Sequence, residues 1–372
     1  KIEELSYNCI KEKLSYPHKA DVLVSINLFF VSNSTDMYQY FYSYFKDKKL
    51  ADIAISYVVK MVNQEIPCTF NFMLKYFHLQ LLEGLKCSYD IVILDEINDT
   101  TAVALEIFKL IDAPIKVGLG ESNQAIYHFL NLKDGFVELS DAKTLPLTNS
   151  FRCSMPIAAK LQTFMRSWVN HEFTFTGTSE PVENNKILYV TMTNSAIIMI
   201  INDFIKLNKG FTLLRKISEI FAYPMAIMSA ASGKEVYQYK YKFLEKEFIK
   251  YRKTAWQKMS FFTYLLETIE DQETEAAIGL IMTLKNQKIN LFDLYNKAKN
   301  AKVDPKRTIA TVFTSKGLEF EDVYINNDFN ARINKVIEKG GIQSEEDLAL
   351  FRCYYVACSR AGKNLHDANF LI

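Results

Sequence analysis

The chain has 372 residues, enough for two or three domains at roughly 100–200 residues each. Hydrophobic residues make up 49% and charged residues 23%, with 12 Gly, 8 Pro and no biased tract, which excludes collagen-like, mucin-like and low-complexity classes. The net charge of +1 leaves no global basic field, so a nucleic-acid partner would have to be held by a local groove.

The longest uncharged runs, 187–202, 22–35 and 220–233, are shorter than the ~20 residues of a spanning helix, and no membrane partner is expected. The six cysteines are scattered without a C-x-x-C. In a chain of this size they read as free thiols in a reducing compartment, cytoplasmic or nucleoid-associated, or nuclear in a eukaryote. The five histidines show no metal-ligand spacing.

Residues 1–89 are helix-rich, with stripes over Ala51–Val62 and Phe70–Leu85. Ile91–Leu94 is a short apolar run closed by Asp95-Glu96, the pattern of a buried parallel strand with carboxylates at its carboxyl end. Thr101–Ile111 is an amphipathic helix, and Pro114–Gly118 begins another buried strand. Strand, helix and strand in this spacing predict a parallel sheet, which binds ligands beyond its carboxyl ends. The chain then turns at Pro146 and enters a helix near Pro156. Further strands are expected at Ile187–Thr193, Thr308–Phe313 and Asp322–Asn326. The stretch from Phe204 to Ala298 is mostly helical, with breaks near Tyr223-Pro224 and Ser229–Gly233, so a second α/β unit is split by a helical insertion.

Several short stretches carry candidate chemistry. Asp95 and Glu96 suit a Mg²⁺–nucleotide hydrolase, the Asp holding the metal's hydration shell and the Glu orienting or deprotonating water; a solvated strand end reads the same way. In Gly120-Glu121-Ser122-Asn123-Gln124-Ala125-Ile126-Tyr127-His128-Phe129, Gln124 suits a γ-phosphate sensor. Tyr127 and Phe129 offer faces for stacked bases, or are two core aromatics in a loop. Arg152, in Thr148-Asn149-Ser150-Phe151-Arg152, and Arg360, in Tyr355-Val356-Ala357-Cys358-Ser359-Arg360-Ala361, suit charge stabilisation at a transferring phosphoryl group or are surface cations. Thr311-Val312-Phe313-Thr314-Ser315-Lys316-Gly317-Leu318-Glu319-Phe320 joins a strand to a glycine turn and an acid. Lys234–Lys253 interleaves basic and aromatic residues. It is either a nucleic-acid contact or an amphipathic helix with Tyr241, Leu244, Phe248 and Tyr251 on its buried face.

Taken in chain order, and leaving Lys234–Lys253 aside, the other five stretches resemble motifs II, III, IV, V and VI of the UvrD/Rep-type superfamily 1 helicases. Thr69–Gln80 and Thr191-Met192-Thr193-Asn194 resemble in particular the F-box DNA helicase and related phage-type branch. The resemblance covers about residues 50–372; the first 45 residues are not placed by it. It implies an α/β fold of two RecA-like parallel-sheet domains with helical insertions. Residues 1–150 would be a partial first domain with motifs II and III. Residues 151–372 would be the second domain with motifs IV to VI, interrupted by an insertion at about 204–300. The implied activity is ATP-dependent 3′–5′ helicase or translocase action on single-stranded or partly duplex DNA, with ATP and Mg²⁺ as cofactors. By motif match, Asp95 would hold Mg²⁺, Glu96 would activate water and Gln124 would couple the γ-phosphate to DNA. Arg152 and Arg360 would contact the γ-phosphate, Phe151 would stack near adenine, and Gly317 and Glu319 would border the nucleotide. Tyr127, Phe129, Thr311 and Phe313 would meet DNA.

The sequence also departs from that family. Residues 1–372 contain no G-x-x-x-x-G-K-[ST], the loop whose backbone N–H groups and Lys hold the phosphates. The pairs Gly233-Lys234-Glu235 and Gly362-Lys363-Asn364 lack the preceding Gly and following hydroxyl. With Lys rather than Met at position 1, the expectation is that a segment upstream, or a protein partner, carries the P-loop. A catalytically inactive, helicase-like scaffold in a DNA-processing or defence complex is the alternative. Ile97-Asn98-Asp99 stands for Ala-Gln-Asp, Gly120-Glu121-Ser122 for Gly-Asp-Pro, Leu130-Asn131 for Arg-Gly, Phe313 for a His and Ser359 for a Thr.

Overall fold

The computed structural model describes residues 2–5, 9–127, 132–253 and 259–370. They fold as two compact units, Lys1–Thr144 and Leu145–Ile372.

The first unit opens with α1 (Tyr16–Val31), α2 (Met37–Tyr44), α3 (Lys48–Val62) and α4 (Phe70–Leu82). Local chemistry sets their starts: Asp36, Asp47 and Thr69 each accept an N–H of the first turn, which satisfies donors the helix cannot pair itself. Val22, Ile26, Phe29, Phe30, Phe41, Ala54 and Tyr57 form their common core, each large apolar side chain contributing about 1.5–3 kcal/mol.

Lys75 of α4 is buried in this bundle. Its Nζ donates to the carbonyls of Ser32 at 2.7 Å and Ser34 at 2.6 Å and lies 4.6 Å from the Phe29 ring centroid. Burial outweighs these contacts and pushes the ammonium down to about 8 from 10.5. Between those values the unfolded chain binds the proton that the native chain has released. The stability of the wild type relative to Lys75→Met should therefore rise as pH increases from 8 toward 10.5, by roughly 1–3 kcal/mol in total. Denaturant melts at pH 7, 8, 9 and 10 measure this; parallel pH profiles for the two proteins would exclude it.

After α4 come β1 (Ile91–Leu94), α5 (Ala102–Leu110), β2 (Ile115–Gly118) and a short α6 (Gly135–Glu138). β1 and β2 pair in parallel, Ile91 opposite Ile115 through Leu94 opposite Gly118, as the strand–helix–strand spacing predicts. Their expected burial is not met. Val92 and Leu94 pack toward Ile97, Leu105 and Phe108, but Ile91, Ile93 and Ile115 are 52%, 61% and 51% exposed. An apolar run does not tell whether one or both faces of a strand are covered, and among the described residues no third strand joins this sheet.

The second unit begins with β3 (Asn149–Ser154), α7 (Met155–Trp168) and β4 (Thr176–Thr178), with β3 and β4 parallel. The sequence reading passes over β3 because Asn-Ser-Phe-Arg-Cys-Ser shows little apolar signal. The main sheet contains β5 (Ile187–Thr191), β6 (Thr212–Leu213), β7 (Arg307–Thr311), β8 (Phe320–Ile325) and β9 (Ala361–His366). All its pairings are parallel, in the order β6-β7-β5-β8-β9. The crossovers are α8 (Asn194–Lys206), which follows β5; α15 (Val312–Ser315), which joins β7 to β8; and α16 (Asn327–Glu338) with α17 (Glu345–Cys358), which join β8 to β9. The predicted strand through Phe313 stops at Thr311, and Phe313 lies in α15.

Between β6 and β7 run α9 (Ile217–Ile220), α10 (Ala222–Ala231), α11 (Phe243–Lys253), α12 (Phe261–Thr268), α13 (Gln272–Asn286) and α14 (Leu291–Lys299). Helices α10 to α13 share their own core around Tyr223, Ile227, Leu244, Leu265 and Ile278. Pro224 does not break this run. It sits in the first turn of α10, where a missing N–H costs nothing. Tyr241 and Leu244 are buried and Phe248 and Tyr251 pack on that core, so the amphipathic reading of Lys234–Lys253 accounts for its aromatic face. The sequence does not anticipate β6, two residues long, inside the mostly helical stretch.

Candidate functional site

In the first unit the candidate residues gather at the carboxyl ends of β1 and β2. Asp95 and Glu96 follow β1 directly and are exposed. Asp95 Oδ1 accepts the Glu96 backbone N–H at 2.9 Å. Glu96 has left-handed backbone, φ +51°, which costs a residue with a side chain about 1–3 kcal/mol and collects at functional sites.

The surroundings enforce that geometry. The backbone ladder continues past both strands, Leu119 N–H to Leu94 O and Ile97 N–H to Leu119 O, each at 2.9 Å. Buried Asn98 accepts the Glu121 N–H at 2.9 Å. Gly118 permits the close approach, since a Cβ there would stand 2.6 Å from Ile97 Cδ1. Gln124, in the turn Ser122–Gln124, donates from Nε2 to Glu121 Oε2 at 2.6 Å. Asp95, Glu96 and Gln124 thus share one edge, joined through Asn98 and Glu121. Tyr127 is half-buried beyond Ile126, which is fully buried. Phe129, Leu130 and Asn131 lie outside the described residues.

In the second unit, three distant stretches converge. Phe151 on β3 is 85% exposed. Beside it, Arg152 Nε donates to Glu319 Oε1 at 2.9 Å and Nη1 donates to the Ser359 carbonyl at 3.3 Å. Gly317 supplies the turn before Glu319 with φ +82°, a conformation glycine enters freely. Arg360 is 1% exposed. Its Nε donates to Val356 O at 3.0 Å, Nη1 to Leu318 O at 3.5 Å and Nη2 to Ser359 Oγ at 3.0 Å. The arginine read from sequence as a phosphate contact is therefore held inside the protein, bridging the end of α17 to the turn before β8.

This cluster stands at the amino ends of β8 and β9, where Phe320 pairs with Ala361. Thr311, with its Oγ1 3.2 Å from Thr314 Oγ1, and Phe313 stand at the carboxyl end of β7, the other end of the parallel sheet. The structure thus brings together Arg152, Gly317, Glu319 and Arg360 and keeps Thr311 and Phe313 apart from them. Cys153 and Cys358 flank the cluster; both are buried, which pushes both thiols up and leaves them protonated and unreactive near neutral pH.

Sequence reasoning missed two polar anchors. In sequence Asn98 reads only as a departure from Gln; the glycines at 118 and 120 signal that something packs closely against them. Asp328 gives no such signal. Its Oδ2 accepts the backbone N–H groups of Met192 and Thr193 at 3.0 and 3.1 Å and the Thr193 hydroxyl at 3.2 Å. It thereby shapes the turn of Thr191-Met192-Thr193-Asn194, and burial pushes its carboxyl up to about 6.

The UvrD-like helicase C-terminal domain family model matches residues 33–366. The chain belongs to that family. No curated protein matches the chain. UvrD-like helicases act on nucleic acid and generally use ATP and Mg²⁺. In this UvrD-like chain, no group of three or more His, Cys, Asp or Glu among the described residues is placed to hold a metal. No helix among the described residues is long and apolar enough to cross a membrane.

Proposed function

We propose that residues 1–372 form the motif II to motif VI body of an ATP-dependent 3′–5′ DNA helicase or translocase of the UvrD/Rep type. The first unit is part of RecA-like domain 1. The second is RecA-like domain 2, with α9 to α14 as its helical insertion. The P-loop comes from residues outside 1–372, on the same polypeptide or on a partner. The open β1–β2 sheet supports this, since parallel sheets occur almost only with both faces covered and Ile91, Ile93 and Ile115 are exposed.

One observation carries the reading: Arg152, Glu319 and Arg360 come together although 167 residues separate Arg152 from Glu319 and 207 separate it from Ser359. ATP would supply the transferable γ-phosphoryl group. Asp95 would hold the hydration shell of Mg²⁺, and Glu96 would orient and deprotonate water. Gln124, tied to Glu121 and through it to Asn98, would pass the state of this edge toward Tyr127. Arg152 would leave Glu319 for the γ-phosphate, which Arg360 would also contact, Phe151 would stack near adenine, and Gly317 and Glu319 would border the nucleotide. Thr311, Phe313, Tyr127 and Phe129 would touch DNA, separate from the phosphate chemistry. In the P-loop-containing form, Glu96→Gln should lower DNA-stimulated ATP hydrolysis at least ~100-fold, the scale of a lost general base, with DNA affinity kept within about twofold. Hydrolysis at wild-type rate would remove Glu96 from the mechanism.

A second reading, an inactive helicase-like scaffold, draws on one specific feature. Both arginines are engaged within the unit, Arg152 by Glu319 and Arg360 by three oxygens. This reading expects DNA or partner affinity that is the same with and without ATP.

A further inference from the structure

Between the ends of α8 and α14 lies a cavity of about 470 Å³ lined by Asn208, Lys209, Asn296, Lys297, Asn300 and Lys302, with Ile205 and Ala301 behind them. Its walls are fixed by the fold. Phe211 N–H donates to Lys302 O at 3.0 Å, Arg307 Nη1 to Gly210 O at 3.3 Å, and Asn300 Nδ2 to Asn296 O at 3.0 Å. Among the described residues, no carboxylate lines it.

The surrounding sequence is strongly basic. From Lys285 to Arg307 there are seven Lys or Arg and two acids, in a chain whose net charge is +1. One of those acids, Asp304, is already engaged by Arg307 at 2.8 Å. Lysines in the last turn of a helix also complement its dipole, which accounts for Lys206, Lys297 and Lys299. Lys209 and Lys302 lie beyond the helix ends, where the dipole no longer explains them.

We infer that this cavity is a second nucleic-acid contact that binds the phosphodiester backbone, with the three ammonium groups on phosphates and the asparagine amides on phosphate or sugar oxygens. Such contacts position a strand without reading its bases. The cavity opens near the amino ends of β6 and β7, whereas Thr311 and Phe313 stand at the carboxyl end of β7. It therefore suits a duplex arm or a displaced strand rather than the strand at Thr311. The inference rests on the nucleic-acid reading proposed above.

The test compares the full chain with Lys209→Gln/Lys297→Gln/Lys302→Gln, using a fluorescent oligo(dT) and a fluorescent duplex titrated across salt. Each lost phosphate contact removes about 0.9 from the slope of log K against log salt for duplex and about 0.7 for single strand. The triple variant is expected to lose about 2–3 from the duplex slope. The corresponding triple Arg variant, and Lys46→Gln/Lys48→Gln/Lys49→Gln in the first unit, should keep the wild-type slope. An unchanged slope in the cavity variant, with wild-type binding intact, overturns the inference alone. Failure of the wild type to bind either probe overturns it together with the proposed function. Loss of affinity for poly-L-glutamate but for neither oligonucleotide assigns the cavity to an acidic protein segment and overturns it as well.

Discussion

Replacing Arg360 with alanine is expected to destabilise the second unit by about 3–5 kcal/mol, because it removes a large buried side chain together with its hydrogen bonds. Three acceptors, Val356 O, Leu318 O and Ser359 Oγ, lose the donor they share; Ser359 Oγ still donates to Val356 O, so the cost is a net loss of roughly 1 kcal/mol per hydrogen bond. The vacated space adds a cavity term, because the surrounding side chains relax only partly. For a unit of this size the loss corresponds to roughly 6–20 °C in melting temperature. Arg360→Lys keeps the charge and much of the stem but not the planar fork, and should fall between the two. Denaturant unfolding of the three proteins measures this. A loss below about 1 kcal/mol for the alanine variant would mean that the three contacts are dispensable and that the guanidinium is available for another role. Until stability is matched, lost activity in Arg360→Ala cannot be assigned to phosphate contact.

How much of this was legible in the sequence depends on what kind of signal each feature leaves. β1, α5 and β2 are readable because a buried apolar run and a helical stripe are local patterns. That β1 and β2 lack a cover over Ile91, Ile93 and Ile115 is not local, and four apolar residues in a row look the same with one face buried or two. β3 escapes because it has no apolar run: Phe151 is exposed and only Cys153 is fully buried. Asp95 and Glu96 announce themselves by ending a strand. The left-handed backbone of Glu96, φ +51°, does not, since nothing in the local pattern marks a positive φ at a non-glycine residue. The partners of Arg152 lie at sequence distances that only the sheet order brings together, and no spacing rule reaches across the helical insertion. Motif order located these residues, but it could not say that one arginine is exposed to solvent on one side and the other enclosed.

That difference makes Arg152 the informative position. Its side chain is 26% exposed and that of Glu319 is 45% exposed. An ion pair so placed contributes about 0–1 kcal/mol, so Arg152→Ala should unfold within about 1 kcal/mol of the wild type. If Arg152 turns from Glu319 to the γ-phosphate, the same variant should lower ATP hydrolysis in the P-loop-containing form by about 10³-fold or more, the scale of an arginine aimed at a transferring phosphoryl group. Glu319→Gln supplies the complement. It releases Arg152 from its charged partner without removing the guanidinium, so it should leave a much larger share of the activity than Arg152→Ala. Steady-state hydrolysis and denaturant melts on the same preparations separate the two effects. Equal, small losses in both variants would make the Arg152–Glu319 pair a surface contact between β3 and the start of β8, and would favour the scaffold reading. A large loss in Arg152→Ala at unchanged stability leaves the catalytic reading as the one that accounts for both numbers, because a surface ion pair cannot supply a thousandfold effect.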